Sequence, residues 1–167
     1  MSDFWLSQAL IAVAIVFDLL SFQFKQRARI LACLVVAGIL ITSHFVLLER
    51  WTAAGLMVIA TTRFFVGIFS TATALKFVFA AAALAVGVAT YAGIASILSC
   101  TGSLIQTFGA FSADDKRLRQ LMMLGTGFWL CHNALVGSPA AVLMEVLFLS
   151  SNVVGYYRHY IRPARPP

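Results

Sequence analysis

The sequence carries little charge for its length. Only 11% of its 167 residues are Asp, Glu, Lys or Arg, only six residues are acidic, and 61% are hydrophobic. Soluble domains carry about 25% charged residues. The shortage of charge and the mean hydropathy of +0.93 therefore exclude an ordinary soluble domain and indicate a membrane protein.

Cysteine is also scarce, and the motifs of common enzymes are missing. Cys33, Cys100 and Cys131 lie in apolar segments without paired spacing, which argues against a disulfide framework and a zinc site. We expect buried structural thiols. The chain has no Gly-x-Ser-x-Gly, no phosphate-binding glycine loop and no His-Glu-x-x-His, so it lacks these catalytic patterns. The sequence thus predicts no enzyme, no cofactor and no metal site.

The apolar residues fall into blocks that are long enough to cross a bilayer as helices. A helix needs about 20 residues to cross roughly 30 Å of hydrocarbon. The stretch 74–111 is too long for one span, and we read it as two. The sequence then predicts an all-α polytopic membrane protein. It has one membrane domain, residues 1–167, with seven transmembrane helices at about 4–22, 30–48, 52–70, 74–90, 92–110, 120–136 and 140–157.

The basic residues mark one side of the membrane. With seven spans, nearly all of them fall on the side that holds the C-terminal tail: Lys25, Arg27, Arg29, Lys76, Lys116, Arg117, Arg119, Arg158, Arg162 and Arg165. The positive-inside rule places this side in the cytoplasm and the N-terminus outside. The net charge of +6 then reflects topology and contact with anionic lipid, and we expect no nucleic-acid binding. The first apolar run lacks a basic flank before it, so we expect a retained helix rather than a signal peptide.

Two segments of the chain resemble each other at a spacing of about 87–90 residues. They share an Arg-x-Arg in a cytoplasmic loop, a late His in the next helix, an Ala-Ala pair early in the third helix, and two hydroxyls before Arg63 or Asn152. An extra span between the segments lets both run in the same direction. We predict a 3+1+3 parallel repeat, with units 4–70 and 92–157, a linker helix 74–90 and a basic tail 158–167.

Several polar residues lie where the surrounding span is apolar. An ionisable group at the bilayer centre costs about 2.5–3.5 kcal/mol, so it should face the protein interior or a partner. Arg63 is near the middle of the third span, and its repeat mate is Asn152. We predict a solute site between the two units, lined by Arg63, Asn152, Asp18, Gln106, His44, His132, Asn133 and Trp129.

Packing roles stay open for several of these residues. Each histidine fits a packed, hydrogen-bonded residue as well as a proton relay, and Trp129 fits core packing as well as ring stacking. Tight packing and a cavity wall both suit one face of the fifth span, which carries Ser96, Ser99, Cys100, Ser103 and Gln106. For Arg63 we expect an ion pair with Asp18 or Glu145, or a solute carboxylate or phosphate.

Short motifs give the chain a resemblance to a known family. They are Ser21-Phe22-Gln23 before the first basic cluster, His44-Phe45-Val46-Leu47-Leu48, Arg63, and Gly127-Phe128-Trp129 before His132-Asn133. With these motifs the chain resembles the bacterial inner-membrane proteins of the Imp-YgjV family. That family is similar in plan to the PQ-loop and SWEET-type transporters. In those transporters polar residues of the third and seventh helices flank the substrate, and the matching positions here are Arg63 and Asn152.

The sequence departs from those transporters in two ways. Ser21-Phe22-Gln23 replaces the Pro-Gln pair at the end of the first helix, and no proline interrupts the spans apart from Pro139. An Arg in place of an Asn favours an anion over a neutral sugar. The resemblance implies an inner-membrane, transporter-like protein that binds or moves a small polar or anionic solute. The alternative is a non-transporting scaffold or accessory protein, and a homo-oligomer stays open.

Overall fold

The computed structural model of the protein describes residues 3–47, 51–89, 91, 93–135 and 139–162. Within these ranges the chain forms seven α-helices, one short π-helical segment and no strand. The helices are α1 Asp3–Ser21, α2 Arg27–Leu47, α3 Trp51–Phe69, α4 Thr73–Ala89, α5 Ile94–Ala110, α6 Asp115–Leu135 and α7 Pro139–Tyr156, and the π-helical segment is Tyr157–Ile161. The predicted all-α fold with seven helices is confirmed.

Most helix ends lie close to the predicted span ends, but two helices begin early. α2 begins at Arg27 rather than 30, and α6 begins at Asp115 rather than 120. The Asp114 carboxylate caps α6, because it accepts hydrogen bonds from the backbone N–H groups of Lys116 and Arg117 at 3.1 and 3.2 Å. The Arg-x-Arg segments that we predicted in loops therefore lie on helical turns. The predicted span ends at 48, 90, 92 and 136 and the tail residues 163–167 lie outside the described residues.

Six of the helices pack in a closed circuit. α1 contacts α2 and α2 contacts α3, while α5 contacts α6 and α6 contacts α7. Contacts of α3 with α5 and of α7 with α1 complete the circuit. α4 stands outside it, against α5 and α3. The two sets of three helices therefore pack against each other along α3–α5 and along α7–α1.

The outer faces of the helices are apolar. Phe69, Phe77, Val88 and Ile94 are between 61% and 75% exposed, and such surfaces in contact with water are uncommon. By length and composition one stretch, Arg27–His44, could cross a membrane. Four further helical stretches are apolar but shorter, namely Ala9–Ser21, Ala54–Phe69, Thr73–Ala89 and Ile94–Ala110. Exposed apolar faces of this kind are typical of helices that contact lipid.

The interior contains two apolar clusters. The smaller one joins Ala14 of α1 to Ala37 and Ile41 of α2. The larger one fills the end of the circuit at which α2 and α6 begin. It consists of Phe22, Ile30, Leu31, Leu34, Phe64, Ala110, Leu118, Met122 and Phe148.

Candidate functional site

Arg63 lies within α3 and is 3% exposed. Its Nη1 donates hydrogen bonds to the carbonyl oxygen of Ser103 at 3.1 Å and to Oγ1 of Thr107 at 2.8 Å, both on α5. The guanidinium carbon lies 4.7 Å from the ring centroid of Phe64, close enough for a cation–π interaction. Nε is buried without a hydrogen-bond partner.

The expected ion pair of Arg63 with Asp18 or Glu145 is absent. None of the described carboxylates acts as an electrostatic partner of the Arg63 guanidinium. Its hydrogen-bond partners are a hydroxyl and a backbone carbonyl, which carry only partial charges. In the described part of the chain, the positive charge of Arg63 therefore has no anion beside it.

Asn152 is fully buried where α7 meets α6. Its Nδ2 donates a hydrogen bond to the carbonyl oxygen of Arg119 at 2.9 Å, and its Oδ1 is buried without a partner. Arg63 faces α5 instead. The structure therefore holds the first predicted pair, Arg63 and Asn152, in contacts with different helices, and no described hydrogen bond joins them.

Asp18 and Gln106, the second predicted pair, also face different helices. Asp18 of α1 is buried within electrostatic range of Glu145 of α7, and no described group donates a hydrogen bond to its carboxylate. Gln106 of α5 faces α6, where its Nε2 lies 3.5 Å from Oγ1 of Thr126 and its side chain packs against Gly125. Each residue thus belongs to a separate helix contact.

His44 and His132 fasten α2 to α1 and α6 to α5. Nδ1 of His44 donates to the carbonyl oxygen of Ser7 at 3.0 Å, and Nδ1 of His132 donates to that of Ala95 at 2.8 Å. Because a carbonyl oxygen only accepts, each ring carries a proton on Nδ1. His132 lies 88 residues after His44, and Ala95 lies 88 residues after Ser7, so the two hydrogen bonds occupy corresponding positions. This arrangement favours the packing role over a proton relay.

The remaining predicted residues, Trp129 and Asn133, lie on α6. Trp129 packs against Gly102 of α5, where a Cβ would lie 2.9 Å from the indole Cδ1. Its ring meets that of His132 edge-on, with 5.3 Å between the centroids. Asn133 is buried, and no described hydrogen bond reaches its side chain. Trp129 is therefore part of the α5–α6 packing.

The polar face of α5 contacts three neighbours rather than one. Cys100 meets Gly87 of α4, the Ser103 carbonyl receives the hydrogen bond from α3, and Gln106 faces α6. Part of the face also borders a cavity of about 460 Å³ between α4 and α5, which is lined by Ser96, Cys100, Thr101 and Tyr91 together with apolar side chains. None of the eight predicted site residues lines this cavity.

The thiols are less buried than expected. Cys131 is exposed, and Cys33 and Cys100 are half-buried. Cys131 is exposed because it stands on the side of α6 opposite to the buried Thr126 and Asn133. Its surroundings there are the apolar outer faces of the helices, which suit a thiol as a small hydrophobic group.

Contacts between the two sets of helices recur at a fixed spacing. Arg63 of α3 binds Thr107 of α5, and Oγ of Ser151 of α7 donates to the carbonyl oxygen of Leu19 of α1. Ser151 lies 88 residues after Arg63, and Thr107 lies 88 residues after Leu19. In these contacts, the residue that corresponds to Arg63 is therefore Ser151. The similarity of the two sequence segments pairs Arg63 with Asn152 instead.

Two arginines that we predicted only as topology signals also make internal contacts. Arg119 is fully buried and donates to two carbonyl oxygens beyond the end of α1. Arg27 is half-buried and donates to carbonyl oxygens at the ends of α3 and α5. The sequence contains a pattern that indicates the burial of Arg119, because Arg119, Met122 and Thr126 are spaced by three and four residues on one face of α6.

In the part of the chain that the structure describes, the apolar outer faces and the all-helical architecture are typical of one class, the α-helical membrane proteins. The family model of Imp-YgjV, described as a bacterial inner membrane protein, matches residues 5–162. The chain belongs to this family, which places it in the bacterial inner membrane in contact with the lipid bilayer. No curated protein and no solved structure is similar enough to count as a match.

Proposed function

We propose that this protein is transporter-like and binds or moves a small polar or anionic solute between two three-helix units, α1–α3 and α5–α7. One observation carries the proposal. Arg63 is 3% exposed, its Nε is unpaired, and none of the described carboxylates balances its charge. A buried charge without a counter-charge is unfavourable in apolar surroundings. An anionic group of a solute would supply the missing partner.

The free edge of the guanidinium favours an anion with two oxygens. Nη1 of Arg63 is committed to α5, whereas Nε and Nη2 form the adjacent edge. Two parallel N–H groups on that edge match the two oxygens of a carboxylate or phosphate, which form paired charge-assisted hydrogen bonds with arginine. We therefore favour an anionic solute over a neutral sugar.

The recurring contacts support a parallel 3+1+3 repeat, in which α4 is the linker helix. In parallel-repeat transporters the substrate site lies between the repeats near the middle of the membrane. Arg63 lies at the contact of α3 with α5, where the two units pack against each other. The repeat thus supports Arg63 as a residue between the units.

We further propose that the chain crosses the inner membrane seven times, with the N-terminus outside. The support is the distribution of charge. Exposed basic residues such as Lys25, Arg29, Lys116 and Arg158 lie at the end of the circuit where α2 and α6 begin and α7 ends, and basic loops favour the cytoplasm. The protein would act without a catalytic site or a cofactor.

A non-transporting scaffold or accessory protein is the second candidate. It is favoured by the observation that His44, His132, Gln106 and Asn152 all form hydrogen bonds within their own unit. In this case polar residues hold neighbouring helices together, and Arg63 is one more strut between α3 and α5.

Ligand-dependent stability separates the two candidates. Thermal unfolding of the purified full-length protein in nanodiscs is measured with a panel of carboxylates, phosphates and neutral sugars. We expect at least one anion to raise the Tm of the wild type, because it fills the vacant edge of Arg63. Arg63→Gln keeps a polar side chain but removes the charge, and it should weaken the affinity for that anion roughly tenfold or more.

Arg117→Gln is the matched control, because it removes an exposed basic side chain from α6. This variant should keep the wild-type affinity. If no compound in the panel stabilises the wild type and Arg63→Gln has the higher Tm, Arg63 is an uncompensated strut and the scaffold is the correct reading.

A further inference from the structure

Arg119 of α6 ties the second unit to the end of the first helix. Its Nη1 donates to the carbonyl oxygen of Phe22 at 2.8 Å and its Nη2 donates to that of Phe24. The guanidinium carbon lies 5.6 Å from the ring centroid of Phe22. Gly155 of α7 faces the same contact, and a Cβ there would overlap the Phe22 carbonyl oxygen. The absence of a side chain at Gly155 therefore allows α7 to pack directly against Arg119 and the Phe22 carbonyl.

Arg27 makes the corresponding contact from the first unit to the second. Its Nη2 donates to the carbonyl oxygen of Ala110, at the end of α5, at 2.7 Å and also to that of Gly67 of α3. Its backbone N–H donates to Oδ1 of Asp115 at 3.1 Å, at the start of α6. A Cβ at Gly67 would lie 3.1 Å from the Ala110 carbonyl oxygen. The first unit thus binds the second through both α5 and α6.

The two contacts, which we term the arginine clasps, are counterparts of each other. The acceptors Phe22 and Ala110 are 88 residues apart, and so are Gly67 and Gly155. The two arginines are 92 residues apart, and the extra four residues equal about one helical turn. Each guanidinium therefore reaches an equivalent place on the opposite unit, but from a different turn of its helix.

The surroundings of the clasps close this end of the molecule. The carbonyls at helix ends carry partial negative charge, which favours a cation beside them. Nε2 of His159 donates to the carbonyl oxygen of Gln23 at 3.1 Å, which adds the segment after α7 to the same loop. The larger apolar cluster, with Leu34 and Met122, lies directly behind. These contacts hold the two units together at this end of the molecule.

We propose that the two arginine clasps form a gate at this end, that the gate is closed in this structure, and that both clasps open together when the space between the units is connected to this side of the membrane. The proposal rests on the proposed function, since a scaffold has no need of a gate. Both clasps join one unit to the other. Both guanidinium groups donate to backbone carbonyl oxygens, and water can satisfy these oxygens when the arginines move away.

A buried thiol beside the clasps tests the proposal. Ser21→Cys is made in a chain whose three native cysteines are replaced by alanine, and it places a thiol at a fully buried position at the end of α1. The rate of alkylation by a small water-soluble maleimide is measured on the purified full-length protein in nanodiscs. Arg119→Gln and Arg27→Gln should each raise this rate roughly tenfold or more, because weakening a clasp populates the open form.

Three controls decide the outcome. Arg117→Gln, an exposed neighbour on α6, should leave the rate unchanged. Arg63→Gln should also leave it unchanged, so failure of the anion site and failure of the gate are distinguishable. Unchanged rates in folded Arg119→Gln and Arg27→Gln would overturn the gate. Loss of folded protein in both would overturn it as well, because a gate requires an open state that remains folded.

Discussion

Among the residues that the structure describes, three guanidinium groups lie inside the molecule, and none of them donates a hydrogen bond to a described carboxylate. Arg27 and Arg119 reach carbonyls at helix ends, where the helix dipole compensates part of the charge. Arg63 has no such end beside it. The Ser103 carbonyl that it binds also accepts a hydrogen bond from Thr107. Arg63 is therefore the least compensated of the three, and a ligand is most strongly indicated there.

At the residue scale the sequence identified Arg63 but not its partners. An isolated charge in an apolar stretch is visible without a structure. The partners depend on which turn of α5 faces α3, and this register is set by packing between distant segments. Arg119 was misassigned to a loop, because its basic neighbours are exposed and resemble a solvated segment.

Two glycines provide a matched test of the packing at the residue scale. Gly155→Ala should lower the free energy of unfolding by more than about 3 kcal/mol, because its Cβ would overlap the Phe22 carbonyl oxygen. Gly127→Ala meets nothing within 4 Å and should be neutral or stabilise by up to about 1 kcal/mol. Unfolding by SDS titration measures both. Equal stability of the two variants would contradict the close approach of α7 to α1.

At the element scale the lengths of the apolar blocks were sufficient to predict the helices, including the division of 74–111 into α4 and α5. For the proposed repeat, the contacts favour a register that differs by one residue from the sequence prediction at the third helix of each unit. Sequence similarity paired Arg63 with Asn152, whereas the contacts pair it with Ser151. One residue turns a helix face by about 100°, which separates a contact facing α6 from one facing α1.

The proposed seven-span topology fixes the direction of each helix across the membrane, and this direction can be measured. Single cysteines at Gln26 and Lys116 should react with a membrane-impermeant maleimide only from the cytoplasmic side. A cysteine at Tyr91, which is 63% exposed between α4 and α5, should react only from the opposite side. Labelling of intact cells and of inverted vesicles distinguishes the sides. Reaction of Lys116→Cys and Tyr91→Cys from the same side would rule out this topology and the parallel repeat.

At the scale of the whole molecule, the helix sets α1–α3 and α5–α7 meet along α3–α5 and α7–α1 and also through Arg27 and Arg119. Arg63 lies at the first of these contacts, and the arginine clasps close one end. The composition was sufficient to predict a membrane protein, which agrees with the family of the chain, whereas the internal repeat stays a prediction from matched residues 87–90 positions apart. The order of helices around the circuit leaves no such pattern along the chain, since it depends on contacts between residues that are far apart in the sequence.

The central claim is that an anion passes between the units by way of Arg63. Its most direct test is uptake of a radiolabelled anion, chosen from the thermal screen, into proteoliposomes that hold the same unlabelled anion inside. We expect saturable exchange in the wild type and in Arg117→Gln. At an anion concentration well below the KM, Arg63→Gln should lose about nine-tenths of the rate or more, because its affinity is about tenfold weaker. Exchange at the rate of protein-free liposomes in the wild type, or equal exchange in the wild type and Arg63→Gln, would contradict the claim.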